Sequence, residues 1–261
     1  MKILTIVGSC RKNGNTARFV HMIEESMSKF IVQSGIAVDF ETLHLGGMNI
    51  LLCRGCRTCF DHGEKACPLN DDIPLIRSKM DDADALILAS PVYVDDVSGL
   101  LKNWIDRMAY LCHRPAMGGK YAFSVATVGG GPAGHTLRTM NAALLTWGYH
   151  LSGKKGLAMG ALASTEELPR YRPAAGKAAH ALFQAITRKK AIHPGFLSLI
   201  VFRIQQLVWQ GEPPGSCDYN FWQSRGWLNS NCTFYFDHRA HPVKVAAARL
   251  AGFIVSRFVT G

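Results

Sequence analysis

The chain is predicted to fold as an α/β protein built on a doubly wound, five-stranded parallel sheet. Three observations predict it. Residues 3–7 and 85–89 are short, nearly continuous apolar runs, the pattern of strands covered on both faces. Stretches with helical spacing of apolar residues separate the strands, as right-handed crossovers between parallel strands require. Polar or glycine-bearing segments at 8–16, 90–97 and 129–134 follow the first, third and fourth strands, so all three open on one edge of the sheet, where such folds bind ligands.

Each element has its own signal. The first strand passes through Gly8 and Ser9 into a helix with Phe19, Val20, Ile23 and Met27 on one side. Residues 36–45 alternate apolar and polar and read as the second strand. Residues 46–72 form a long connection. A helix from about Asp72, with Ile73, Ile76 and Met80 on one side, leads to the third strand at 85–89. The next helix carries Leu100, Leu101, Trp104, Ile105 and Met108, and its Asp106 and Arg107 read as a solvated pair. Residues 121–128 are the fourth strand, 137–147 a helix, 149–157 the fifth strand and 174–190 the last helix of the sheet domain. The expected division is a sheet domain over 1–190, with the 46–72 connection inserted after the second strand, and a basic, aromatic-rich helical extension over 191–261.

With 48% apolar residues the chain can bury a sizeable core. Its net charge of +10 is uneven: residues 1–149 hold fifteen Lys/Arg against fourteen Asp/Glu, and 150–261 hold fourteen against five. The basic character therefore belongs to the C-terminal part. No nucleic-acid reader module accompanies it, so nucleic acid is not an expected partner. The apolar run after Lys2 is too short for a secretory leader, which predicts a cytoplasmic location and reduced cysteines.

The segment after the first strand has the makings of an anion site. The first N–H groups of a helix lack internal partners and sit at the positive end of its dipole. Ser9, Asn13, Asn15 and Thr16 add donors there and Arg11 adds charge. The spacing matches neither G-x-x-x-x-G-K-[ST] nor G-x-G-x-x-G, so a monophosphate is expected rather than a triphosphate or a dinucleotide; a merely tight strand-to-helix turn is the plainer reading. Gly129, Gly131 and Gly134 satisfy G-x-G-x-x-G after the fourth strand, but no acidic residue lies at the offset a ribose needs.

GSCRKNGNT at 8–16, SPVYVDDVSGLLKNWIDR at 90–107 and TVGGG at 127–131 together resemble the flavodoxin-like NAD(P)H-dependent FMN reductase family over roughly residues 1–160, and with the cysteines the chain is similar to its iron-sulfur flavoprotein branch. The resemblance implies that Ser9, Arg11, Asn15 and Thr16 hold the phosphate of FMN. It implies that Pro91, Val92 and Tyr93 run along the ribityl chain and ring, and that Thr127, Gly129, Gly130 and Gly131 meet the isoalloxazine edge. Glycines would let the backbone approach a flat ring.

Cys53, Cys56, Cys59 and Cys67 have the spacing C-x2-C-x2-C-x7-C, which lets one loop offer three thiolates with a fourth nearby and differs from the paired knuckles of zinc ribbons. A cluster, zinc and plain thiols all remain open on spacing alone. The resemblance implies a [4Fe–4S] cluster, with Phe60 and Pro68 shielding it and Arg54 and Arg57 offsetting its charge. Cys10, Cys112, Cys217 and Cys232 lack such partners and read as buried or idle thiols.

In the extension, 193–195 break the chain before a helix over 195–210 that is apolar on most sides but interrupted by Arg203, Gln205 and Gln206, and so too polar to span a membrane. A turn-rich aromatic stretch follows, whose Trp222, Trp227, Phe234, Tyr235 and Phe236 are placed to cover a flavin edge. A basic helix from Pro242 carries Val243, Ala247, Leu250, Ile254 and Phe258 on one side. Both helices are expected to pack on the sheet domain or on a second subunit, with peripheral contact to a membrane as the alternative.

The function expected is that of an FMN-dependent oxidoreductase taking hydride from NAD(P)H and passing electrons to a quinone, nitro or azo acceptor or through a [4Fe–4S] cluster. The alternative is a flavin and iron-sulfur electron carrier between protein partners, and a flavin-free scaffold is a third. No side chain is required as a catalytic acid or base, and His135 reads as structural. A homodimer or homotetramer is expected.

Overall fold

In the computed structural model, which describes residues 1–164, 166–187 and 193–259, strand β1 (Lys2–Val7) is covered on both sides. Leu4 and Ile6 enter one core and Ile3 and Val7 the other. Between them buried Thr5 donates to Glu24 Oε1 at 2.7 Å, so its hydroxyl is not left unpaired. The parallel strand order is β2 (Asp39–His44), β1, β3 (Ala85–Tyr93), β5 (Tyr121–Val128), β6 (His150–Ala158). Helices α1 (Asn15–Ser34) and α6 (Arg172–Thr187) cover one face, and α3 (Ile73–Asp82), α4 (Gly99–Arg107) and α5 (Gly134–Thr146) cover the other. This is the flavodoxin-like order, and its switch point lies between β1 and β3.

Three boundaries differ from expectation. The second strand covers only 39–44 because it is the sheet edge, where a half-solvated strand needs no long apolar run. The third strand runs on to Tyr93, turns at Val94 and Asp95, and pairs back antiparallel through β4 (Asp96–Val97), so 90–97 is a hairpin rather than a loop. The last sheet-domain helix spans Arg172–Thr187; the expected domain boundary at 190/191 lies outside the described residues.

Helices α7 (Phe196–Gly211), α8 (Cys217–Ser224) and α9 (Pro242–Val259) gather a separate apolar cluster of Leu199, Phe202, Trp209, Trp222, Trp227, Phe234 and Ala248. Gln206 is wholly buried among them because its amide donates to the carbonyls of Trp227 (2.7 Å), Asn229 (2.9 Å) and Cys232 (3.1 Å), so it ties the aromatic stretch to α7. Trp222 Nε1 and Gln205 Nε2 donate to the carbonyls of His113 and Cys112, each at 2.7 Å, joining this cluster to the sheet domain. Helix α9 buries Ala248, Gly252 and Ser256 against α7, and a Cβ on Gly252 would lie 2.8 Å from Arg203 Cβ. The stripe of Val243, Leu250, Ile254 and Phe258 does not pack on the sheet domain and is exposed in the single chain. Small residues allow two helix backbones to approach closely, and that contact wins the inner face. Among the described residues no helix is long and apolar enough to cross a membrane.

Candidate functional site

At the C-terminal ends of β1, β3 and β5, a cleft of about 250 Å³ is lined by Ser9, Arg11, Asn15, Thr16, Pro91, Val92, Tyr93, Thr127 and Gly129. These are nine of the twelve residues singled out from the sequence as cofactor contacts. Local structure explains the gathering. Gly8 lets β1 pass close to α4, since a Cβ there would sit 2.6 Å from Leu101 Cβ. Ser98 then donates to the Gly8 carbonyl (2.6 Å) and accepts from Leu101 N (3.2 Å), capping α4 while clamping it to the end of β1. Helix α1 starts on Gly14 with no side-chain cap, which leaves its first N–H groups and the positive end of its dipole facing the cleft beside Arg11. Ser9 is buried and accepts from Arg11 N at 3.1 Å. The Thr16 and Thr127 hydroxyls lie 2.6 Å apart and buried, linking the start of α1 to the end of β5.

The remaining three lie outside the cleft. Asn13 lines a neighbouring groove with Lys12, Arg18 and His44. Gly131, at φ +94, lines a groove with Gly134 and Leu137, and Gly130 does not line the cleft. Asn15 lines the cleft, but its amide is committed to the chain: it donates to the carbonyls of Met159 (3.2 Å) and Gly160 (3.1 Å) and accepts from Ala163 N (2.9 Å). The segment after β6, with Gly160 and Ala161 in the cleft wall, is therefore a component that sequence reasoning missed. The asparagine at the helix start marked one end of this contact and nothing marked the other. Tyr93 is half exposed, and His135 sits near Asp95 (Nδ1 to Oδ2, 3.7 Å) on the hairpin turn. The cleft suits a phosphate at the α1 end and a flat ring against Tyr93, with Gly129 and Gly160 in its wall.

The cysteine connection is anchored by buried charge. Arg107 is buried, not solvated: it pairs with the fully buried Asp71 carboxylate, donates to the Leu51 carbonyl at 2.8 Å and lies 3.8 Å from Cys67 Sγ. Asp106 instead pairs with Lys102 at 2.7 Å. Buried Arg114 donates to the Cys59 carbonyl and pairs with Asp218 of α8. These two arginines brace the connection from outside it; within it Arg54 helps lower the Cys56 thiol and Arg57 pairs with Asp61 at 3.2 Å. Burial pushes the Cys59 thiol up, and Cys67 and Cys53 raise it further, whereas the Thr58 hydroxyl lowers that of Cys56. Sulfur donors of this kind, once deprotonated, suit iron or zinc. Their positions do not form a cage: Cys53 and Cys56 are exposed, and among the described residues no three His, Cys, Asp or Glu side chains converge to hold a metal ion. Cys10 is exposed rather than buried, while Cys112, Cys217 and Cys232 are half-buried.

The aromatic stretch does not cover the cleft. Trp222, Trp227 and Phe234 pack on one another and on Phe202, with Trp222 and Trp227 edge to face at 5.3 Å, because mutual burial satisfies these rings better than a rim position.

Residues 1–160 match the family described as NADPH-dependent FMN reductase. An iron-sulfur flavoprotein of Archaeoglobus fulgidus is 31% identical over 233 residues, which cover 87% of this chain and 100% of that protein. An iron-sulfur flavoprotein of Methanocaldococcus jannaschii is 38% identical over 107 residues, 41% of this chain and 51% of that one. Among solved structures, an oxidoreductase from Corynebacterium diphtheriae superposes with a TM-score of 0.52 at 19% identity, covering 72% of this chain and 98% of its own, a likeness of fold.

Proposed function

The chain belongs to the NADPH-dependent FMN reductase family, with iron-sulfur flavoproteins among its relatives, and on that premise we propose that it is an FMN-dependent oxidoreductase holding its cofactor in the cleft between β1 and β3. NADPH or NADH supplies the hydride, and a quinone, nitro or azo compound takes the electrons. The observation that carries the reading is the convergence of an uncapped helix start, Arg11 and buried Ser9 at the switch point of the sheet.

Each wall of the cleft has a task in this reading. The first N–H groups of α1 and Arg11 hold the phosphate. Thr16 and Thr127 keep the start of α1 against β5. Pro91 and Val92 offer an apolar flank, Tyr93 a half-exposed ring, and Gly129 a backbone that a flat ring can approach. FMN, when bound, supplies a ring that accepts hydride and releases electrons, so the protein needs to orient and shield rather than provide an acid or base. Cys53, Cys56, Cys59 and Cys67 are the donors proposed for a [4Fe–4S] cluster. Iron together with acid-labile sulfide in the purified protein is the expected analysis, and zinc alone would end that assignment.

The test is an anaerobic titration. Added FMN is expected to bind at micromolar concentration, and its visible absorbance to bleach on addition of NADPH or NADH. Protein that refuses FMN would sink the proposal. Binding without bleaching by either nucleotide would favour an electron carrier between protein partners, a reading the thiol-bearing connection supports.

A further inference from the structure

We propose that a second ligand site, for a phosphorylated ribose, lies in the groove between α1 and the edge strand β2, on the other side of the 8–16 segment from the cleft. Its volume of about 360 Å³ is that of a small-molecule site. As the edge of the sheet, β2 leaves this side open, and residues two apart on a strand share a face, so Thr42 and His44 both line the groove. The 8–16 segment divides its side chains between the two hollows: Arg11 lines the cleft, Lys12 and Asn13 the groove.

The donors there are largely uncommitted. Among the described residues the Lys12 ammonium and the Asn13 amide have no hydrogen bond or ion pair within the chain. Arg18 Nη1 donates to the Ala163 carbonyl at 2.8 Å, which fixes that guanidinium at the groove wall. His44 Nδ1 is buried and without a partner. Burial, with the Lys12 charge nearby, pushes the His44 imidazole below its usual pKa, so at neutral pH the ring is uncharged and Nε2 is the nitrogen left to donate to a ligand. An anion is the complement of this set. Glu24 then decides which anion. Its Oε1 accepts from Thr5 at 2.7 Å and from Thr42 at 3.0 Å, and its Oε2 lies 4.0 Å from His21. A bare phosphate would meet only repulsion from this carboxylate, whereas a phosphorylated sugar brings hydroxyls that donate to it. An acid on the ribose hydroxyls beside cations for the phosphate is how α/β folds divide such a ligand. Two compounds share that chemistry, the 2′-phosphorylated ribose of NADPH and a free ribose or nucleotide phosphate.

The full chain, saturated with FMN so that the cleft is closed to other phosphates, is titrated calorimetrically with 2′,5′-ADP and with ribose 5-phosphate. Protein that takes up no FMN is titrated as it stands, so failure of the cleft assignment and failure of this one are separate results. At least one probe is expected to bind more tightly than inorganic phosphate. Lys12→Ala, at an exposed position, is expected to weaken it about tenfold and Lys12→Arg to restore it, with the melting temperature unchanged. No binding of either probe at about 10 mM would overturn the inference. So would wild-type affinity in Lys12→Ala, inorganic phosphate binding as tightly as the sugar phosphates, or release of FMN by the probe. Once a probe binds, NADPH about tenfold tighter than NADH, with the difference erased by Lys12→Ala, assigns the groove to the nicotinamide nucleotide. Equal affinities assign it to a free phosphorylated sugar, and both results uphold the site.

Discussion

Asp71 and Arg107 form a buried ion pair that the sequence does not announce. They lie 36 residues apart, each in an unremarkable stretch, and only the fold shows that both are buried. Burial pushes the Asp71 carboxyl up, but Arg107 and the amides of Leu51 and Ile73 more than offset it and hold it below the usual carboxylate range. A carboxyl lowered in the folded state contributes stability above its unfolded value and loses it as pH falls through its folded value. Asp71→Asn is expected to cost about 3–5 kcal/mol, read by urea unfolding at neutral pH, because it strips a buried guanidinium of its countercharge, and the difference from wild type should shrink in acid. In the cleft, Thr16→Val breaks the buried hydroxyl pair with Thr127. It is expected to weaken FMN binding several-fold, corresponding to about 1 kcal/mol, measured by fluorescence titration. Ser9 and Thr16 were legible as polar donors between a buried strand and the helix that follows it, and Thr127 only through the family resemblance. The backbone clasp between Asn15 and 159–163 was not, since carbonyl groups carry no signature of type.

Elements buried on both faces announced themselves, as with β1, β3 and β5, whereas the edge strand β2 was placed too long. The hairpin of β3 and β4 went unread because its turn residues are Val94 and Asp95, at φ 49 and 62, a conformation that normally calls for Asn-Gly. A β-branched residue in the left-handed region is strained. Val94→Asn with Asp95→Gly is therefore expected to raise stability by about 1–2 kcal/mol, seen as a higher melting temperature. Helix α9 teaches a different limit: periodicity identifies a face but is silent about what covers it.

At the scale of the whole chain, the described C-terminal helices meet the sheet domain where Asp218 pairs with Arg114 and His113 and where Trp222 and Gln205 reach the His113 and Cys112 carbonyls, with Tyr235 and Phe236 against Gly118 beside them. Trp222→Ala is expected to cost about 3–5 kcal/mol within that cluster and to expose residues beyond 193 to limited proteolysis, while FMN titration stays unchanged because the cleft draws nothing from it. The aromatic stretch was expected over a flavin edge and packs on itself and on α7 instead, because composition does not say which surface such rings will bury against. The guanidinium groups of Arg107 and Arg114 have a wider consequence. They brace the thiol-bearing segment through the carbonyls of Leu51 and Cys59. With the proposed cluster at these thiols, stripping its metal with a chelator is expected to leave the protein folded, as circular dichroism would record.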